Sequence, residues 1–198
     1  MDWNTLTLGE ALRQTARRLP DRTAIVGMGR RMSFAQLDRE TDEVALGLRS
    51  LGVRRGDQVA LWMTNCPDWV VCWMACARLG AVLVPINTRY KSDEVEYILR
   101  QSDARVLIAM DSFWGMDFAA MVSGLVPELG SAAPGTLRCA GLPELRAVVL
   151  WNEAAMPGTT HLGALRAEGA RRLAQGEQLD AANPRDPVII VYLSLIHI

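Results

Sequence analysis

Residues 69–90 read WVVCWMACARLGAVLVPINTRY, and the rest of the chain is organised around them. Trp69, Val70, Trp73, Ala77 and Cys76 recur at three- and four-residue steps, the spacing of a buried helical stripe, and Gly80 stands where that helix must stop. Ala81 to Ile86 follows as a short, almost wholly apolar run, as expected of a strand covered on both faces in a parallel sheet, with Pro85 closing it. The unit recurs on either side. Gln58 to Met63 reads as an earlier apolar strand and Arg105 to Ala109 as a later one, so the strands begin about 24 residues apart with helical patterns between them. That spacing suits right-handed βαβ crossovers.

Toward the amino end, Leu8, Leu12, Thr15, Ala16 and Leu19 form an apolar stripe that stops at Pro20, which predicts a helix over 7–19 with Thr7 and Glu10 placed to cap it. Thr23 to Val26 reads as a short strand and residues 27–31 as its turn. Ser33-Phe34-Ala35-Gln36 has the form of a capping box opening a long helix through Leu37, Thr41, Val44, Ala45, Leu48 and Leu51, with Gly52 at its left-handed end. Pro67 is placed as the first residue of the central helix. Toward the carboxyl end, Ser92 reads as the cap of a helix with Val95, Ile98 and Leu99 inward, Phe113 to Val126 as helical, and Leu129 to Pro143 as a loop. Leu145 to Leu150 reads as a fourth strand, Leu162 to Leu173 as a helix in a polar excursion, and Val188 to Tyr192 as a fifth strand. The pattern as a whole predicts an α/β fold, a mainly parallel sheet with helices on both faces.

With 198 residues and 50% hydrophobic content the chain is long enough for one full core or one lobe of a larger protein. A net charge of −1 gives no footprint for nucleic acid, and no basic run marks a membrane surface. Residues 69–86 approach the length of a membrane span, but Arg78 near the centre would cost about 2.5–3.5 kcal/mol there, so a buried helix followed by a buried strand is expected and no span. The opening Met1-Asp2-Trp3-Asn4 lacks the build of a secretion signal. Cys66, Cys72, Cys76 and Cys139 form no CxxC pair and read as buried free thiols of a reducing cytoplasm, not as metal ligands or disulfides.

Several segments together resemble the adenylate-forming (AMP-binding) enzymes, which include acyl-CoA synthetases. Residues 32–37, MSFAQL, resemble that family's "(T/S)(Y/F)xEL" segment, with Gln36 where Glu is usual. Residues 52–60, GVRRGDQVA, resemble "GVxxGDxVA", and residues 78–87, RLGAVLVPIN, resemble "KAGAxxVPxN". Glu94 to Leu99 and Asp103 to Ile108 are similar to the helix and strand that follow. The resemblance implies an incomplete N-terminal subdomain of the adenylate-forming fold over residues 1–192. Its parent would be an ATP-dependent carboxylate–CoA ligase acting on a fatty or medium-chain acid through an acyl-adenylate, with ATP, Mg2+ and CoA as cofactors and co-substrates. The form PINTR, with Asn87 after Pro85-Ile86, is similar to acyl-CoA synthetases. In the family a strand like Val188 to Tyr192 runs into a TSGTTGxPKG loop that holds the ATP phosphates. Here Leu193-Ser194-Leu195-Ile196-His197-Ile198 follows instead. The hexapeptide is expected to be a non-native tail, being similar to the translation of a transposase adapter end used in sequencing libraries.

The resemblance leaves no catalytic residue and no metal ligand within the chain, and tight binding of ATP, Mg2+ or CoA by it is not expected. Arg89, leaving the carboxyl end of a strand, is the single weak cofactor-binding candidate, an anion contact such as a CoA phosphate weighed against a solvent-facing or ion-paired side chain. His161 and His197 lie near no Ser or Cys that would make either a base, the Trp69/Trp73 pair reads as core packing before it reads as a ligand box, and Gly56-Asp57 reads as a turn. Gly27-x-Gly29 lacks the third glycine of a dinucleotide fingerprint. The competing class is a stand-alone, non-catalytic α/β binding or interaction module.

Overall fold

The computed structural model describes residues 5–133, 135–151, 156–180 and 182–192, so the hexapeptide after Tyr192, with His197, lies outside the described residues. Five strands form one parallel sheet in the order β4-β3-β5-β8-β9: β3 (Gln58–Trp62), β4 (Val82–Pro85), β5 (Val106–Ala109), β8 (Ala147–Leu150) and the two-residue β9 (Thr160–His161). Their side chains are buried on both faces as the continuous apolar runs require, with Val59 through Trp62, Leu83, Val84 and Val106 through Ala109 fully enclosed.

Crossover direction places the helices. α3 (Pro67–Leu79) carries the chain from β3 outward to β4, whereas α4 (Ser92–Gln101) and α5 (Phe118–Leu125) carry it the other way across the sheet, so right-handed connections put α3 on one face and α4 with α5 on the other. α1 (Leu8–Arg18), α2 (Phe34–Ser50) and α6 (Leu162–Ala174) pack in the layer of α3. The mainly parallel sheet with helices on both faces is the arrangement read from the sequence.

Local signals account for the helix ends. Thr7 Oγ1 accepts from the Glu10 N–H (3.2 Å) while Glu10 accepts from the Thr7 N–H (3.0 Å), and Ser33 and Gln36 do the same for α2. Pro67 opens α3, and Gly80 closes it in the left-handed region at φ 72°, so that Ala81 N–H can reach back to Cys76 O (2.9 Å). Between α2 and α6 two glycines permit a close crossing. A Cβ on Gly169 would stand 1.7 Å from Glu43 O, and one on Gly47 would stand 2.4 Å from Leu165 O.

Five expectations are corrected. α3 buries Val71, Cys72, Ala75, Cys76, Ala77 and Leu79, so Cys76 and Ala77 are enclosed as expected, whereas Trp69, Val70 and Trp73 are only half-buried against the core, the two indole rings 5.8 Å apart. Nearly every residue of this helix is apolar, so spacing alone could not phase it. Residues 27–31 are more than a turn: Arg30–Ser33 forms β2, paired antiparallel with β1 (Thr23–Gly27). Residues 112–117 are a second hairpin, β6 (Ser112–Phe113) with β7 (Met116–Asp117), which delays α5 to Phe118. α4 is capped at Lys91, one residue before Ser92, because Glu94 accepts from the Lys91 N–H (2.9 Å). Val188 to Tyr192 makes a single parallel bridge, Leu83 to Ile189, and no extended strand.

Candidate functional site

In open α/β sheets ligands dock beyond the carboxyl ends of the strands, where neighbouring connections leave in opposite directions. Here that point lies between β3, whose chain turns to α3, and β5, whose chain turns to α5. The crevice is filled by the protein itself. Trp62, Phe118 and Met110 are fully buried there; the Trp62 and Phe118 rings meet edge to face at 4.6 Å, and the Thr64 N–H points at Met110 Sδ at 3.4 Å.

The loop after β4 stands beside this plug. Trp62 Nε1 donates to Asn87 O (3.2 Å), the Tyr90 N–H donates to the same carbonyl (3.0 Å), and Asn87 Oδ1 accepts from the Arg89 N–H (2.9 Å). This Asx-type turn fixes the backbone of Arg89 and leaves its side chain exposed, with no hydrogen bond or ion pair to a described residue. The sequence-level candidate is therefore at the expected end of the sheet, solvent-facing and unpaired.

A charged network borders the same end, and the sequence reading missed it. Asp68, in the first turn of α3, accepts from Trp151 Nε1 (2.8 Å) at the end of β8 and from Arg30 Nη1 (2.9 Å) on β2. Arg30 also donates to Glu40, which lies 3.2 Å from Arg166 Nη1, and Arg166 Nη2 donates to Glu43 (3.0 Å). The signal available was Asp68 after Pro67, an acid where a helix N-terminus favours one. These groups neutralise one another across β2, α2, α3 and α6, which makes them a structural tie and leaves no unpaired base.

A sizeable cavity lies elsewhere. About 470 Å³, lined by Thr7, Arg13, Arg17, Asp42, Arg78 and Leu173 among others, it sits beside the last turn of α3, the end that feeds the amino terminus of β4. Two of its cations are paired internally: Arg13 Nη2 donates to Asp42 (2.6 Å), and Arg78 donates to Asp42 and Asp38. Fold topology, not cavity size, is the better guide to the ligand end here.

His161 accepts the Ala164 N–H through Nδ1 (3.1 Å) and so caps α6. Gly56-Asp57 is structural too, Asp57 accepting the Arg54 N–H (2.7 Å) and pairing with Arg105 at 3.2 Å. The four cysteines are free and buried, and burial pushes the Cys76 thiol up to about 12 and Cys72 well above its ordinary value. Among the described residues no three His, Cys, Asp or Glu side chains are grouped to hold a metal ion. Among them also, no helix is long and apolar enough to cross a membrane.

Comparison with known proteins agrees with this geometry. The AMP-binding enzyme family matches residues 12–194. A Bacillus subtilis (strain 168) protein named as an acyl-CoA synthetase, YngI, is 40% identical over 157 residues, covering 78% of this chain and 29% of its own length. The mitochondrial medium-chain acyl-CoA ligase ACSF2 of Mus musculus is 38% identical over 167 residues, covering 83% of this chain and 27% of its own. Among solved structures, the anthranilate CoA ligase AuaEII in complex with anthranoyl-AMP superposes with a TM-score of 0.70 at 25% identity, over 90% of this chain and 30% of that one. The chain thus spans less than a third of the length of these curated relatives. A match over nearly all of its residues, carried on the expected sheet, shows that the chain belongs to the AMP-binding, adenylate-forming enzyme family of acyl-CoA and carboxylate ligases.

Proposed function

We propose that residues 1–192 are the opening part of the N-terminal domain of an ATP-dependent ligase that joins a fatty or medium-chain carboxylic acid to CoA. The observation that carries this reading is the 38% identity to a medium-chain acyl-CoA ligase over 83% of the chain. In the reaction the carboxylate attacks the α-phosphorus of ATP and expels pyrophosphate, giving an acyl-adenylate; the CoA thiol then displaces AMP. ATP, Mg2+ and CoA belong to the longer protein in this reading. A neighbour crystallised with an aryl-adenylate supports the adenylate route.

Within the chain, Arg89 supplies the one contact this reading assigns, a cation toward a CoA phosphate, because it is exposed at the ligand end of the sheet and unpaired among the described residues. No other described residue receives a role in the chemistry. The near-neutral charge supports a reading without nucleic acid, and four buried free thiols support a reducing compartment, the cytoplasm.

Two measurements test the assignment. The longer protein should exchange pyrophosphate into ATP in the presence of medium-chain acids, and Arg89→Ala in it should raise KM for CoA several-fold with that exchange unchanged. Loss of exchange in the variant, or an unchanged KM for CoA, rejects the role of Arg89. The 198-residue chain alone, lacking the Ser/Thr/Gly-rich phosphate loop, should give no exchange with any acid. Exchange by the chain alone would show that it holds a phosphate site of its own, and absence of exchange by the longer protein would favour a binding module over an enzyme.

A further inference from the structure

Trp62 ends β3 fully buried, so its indole N–H has to find an acceptor inside the protein. That acceptor lies neither in the sheet nor in a helix. Nε1 reaches out of the strand to the carbonyl of Asn87 (3.2 Å), the first residue of the turn after β4. The Trp62 carbonyl meanwhile accepts the Met110 N–H (3.1 Å) from the chain leaving β5, and its ring meets Phe118, the first residue of α5, edge to face at 4.6 Å. One side chain thus joins the connections that leave both neighbours of β3.

The hydrogen bonds at Asn87 are of two kinds. Its carbonyl accepts the Tyr90 N–H (3.0 Å) and its Oδ1 the Arg89 N–H (2.9 Å); both come from within the turn and set its shape. The bond from Trp62 comes from the sheet, 25 residues earlier, and sets where the turn stands. On the strand side the Ile86 N–H still donates to Leu61 O (2.9 Å), and on the helix side the Lys91 N–H already belongs to the cap of α4 through Glu94 (2.9 Å). Tyr90 adds apolar contact with the core, but such contact has no preferred direction, whereas an N–H donor does.

Arg89 is the third residue of this turn, so its backbone moves wherever the turn moves. We propose that Trp62 is a positioning residue: its indole N–H fixes the turn after β4 and with it the place of Arg89 at the carboxyl end of the sheet. Trp62 itself touches no ligand. The consequence for CoA rests on the ligase reading; the fixing of the turn does not.

Trp62→Phe keeps an apolar ring and removes the donor. In the 198-residue chain the Arg89 and Tyr90 amides should undergo hydrogen exchange at least about fivefold faster in the variant, while those of Ala60 in β3 and Leu107 in β5 keep their protection. Should the smaller ring prevent folding, Trp62→benzothienylalanine keeps the bicycle, places sulfur where the N–H was, and reads the same donor. In the longer protein, Trp62→Phe should raise KM for CoA several-fold with kcat within about twofold, and adding Arg89→Ala should raise KM no further than Arg89→Ala alone. Unchanged hydrogen exchange at Arg89 and Tyr90 overturns the proposal. So does exchange that rises equally at Ala60 and Leu107, which would make Trp62 a packing residue only, and so do KM effects of Trp62→Phe and Arg89→Ala that add. If Arg89→Ala by itself leaves KM for CoA unchanged, the CoA role of Arg89 fails, whereas faster exchange confined to the turn still upholds the role of Trp62.

Discussion

Arg78 shows how one side chain sets the packing of three helices. It is 7% exposed, and its guanidinium donates to Asp38 Oδ1 (2.6 Å), Asp42 Oδ1 (2.8 Å), Gly9 O (2.9 Å) and Asp38 O (3.0 Å), tying α1 and α2 to the last turn of α3. Removing it leaves Asp38 with only Arg13 at 3.8 Å, leaves Asp42 to Arg13 alone (2.6 Å), and takes a buried donor from two carbonyls. Arg78→Ala should therefore lower stability by about 3 kcal/mol, read as a fall in the urea midpoint; a change under about 1 kcal/mol would mean that water replaces the guanidinium. The sequence flagged Arg78 only as an obstacle to a membrane span, since its partners lie at least 36 residues away in the chain and no local pattern pairs them. The thiols behave differently. Cys76 is fully enclosed and its thiol is pushed up to about 12 from 9.0, so the folded chain keeps a proton that the unfolded chain releases. Stability from this group is fully present below pH 9 and is lost as pH rises from 9 toward 12, at about 1.4 kcal/mol per pH unit. Urea midpoints between pH 8 and 10.5 should fall accordingly, and Cys76→Ala should flatten part of the slope; a pH-independent midpoint would show that the unfolded thiols titrate no earlier than the folded ones.

At the scale of elements, glycine carries opposite meanings in two helices. Gly169 in α6 faces the backbone of α2, where an added methyl would meet Glu43 O at 1.7 Å, so Gly169→Ala must push the helices apart and should cost about 2–3 kcal/mol. Gly124 in α5 faces open space, and Gly124→Ala should raise stability by about 0.5 kcal/mol through helix propensity alone. Thermal unfolding of the pair checks both signs; equal effects would mean that α2 and α6 do not cross this closely. Strand positions were legible because each apolar run between turn residues is buried on both faces. Helix ends were legible because Thr7, Ser33, Pro67 and Gly80 act through neighbours within a few residues. The two hairpins were not, because Met28 and Trp114 occupy turn positions where Asn or Gly would announce the turn. The face of α3 was misread for the converse reason: an almost uniformly apolar helix has no polar side to mark its outside. As for the candidate site, Arg89 could be placed at the end of a strand, but its lack of a partner and the Asx turn beneath it are tertiary facts.

For the whole molecule, the sheet is closed unevenly. Beyond β4 the chain returns as residues 188–192, held at its start by a two-pronged ion pair, Arg55 Nε to Asp186 Oδ2 (2.7 Å) and Arg55 Nη2 to Asp186 Oδ1 (2.6 Å). Two backbone bonds then fix its register: the Leu83 N–H donates to Val188 O (3.1 Å) and the Ile190 N–H to Leu83 O (2.8 Å). The segment covers the outer edge of β4, and among the described residues no strand lies outside it. Ile189, Ile190 and Val191 are exposed, with Val191 at 54%. An apolar, extended segment with unpaired backbone groups recruits another copy, since pairing supplies both hydrogen bonds and burial. The chain should accordingly associate reversibly at micromolar concentration, and Val191→Lys should shift it toward monomer, because a lysine pointing into the paired edge must be desolvated or expelled. Sedimentation velocity from about 5 to 100 µM reads the outcome. A single monomeric boundary across that range would show that the Leu83 bridge suffices to protect the edge. Association that Val191→Lys leaves untouched, yet Trp114→Asn removes, would move the contact from the sheet edge to the hairpin tip.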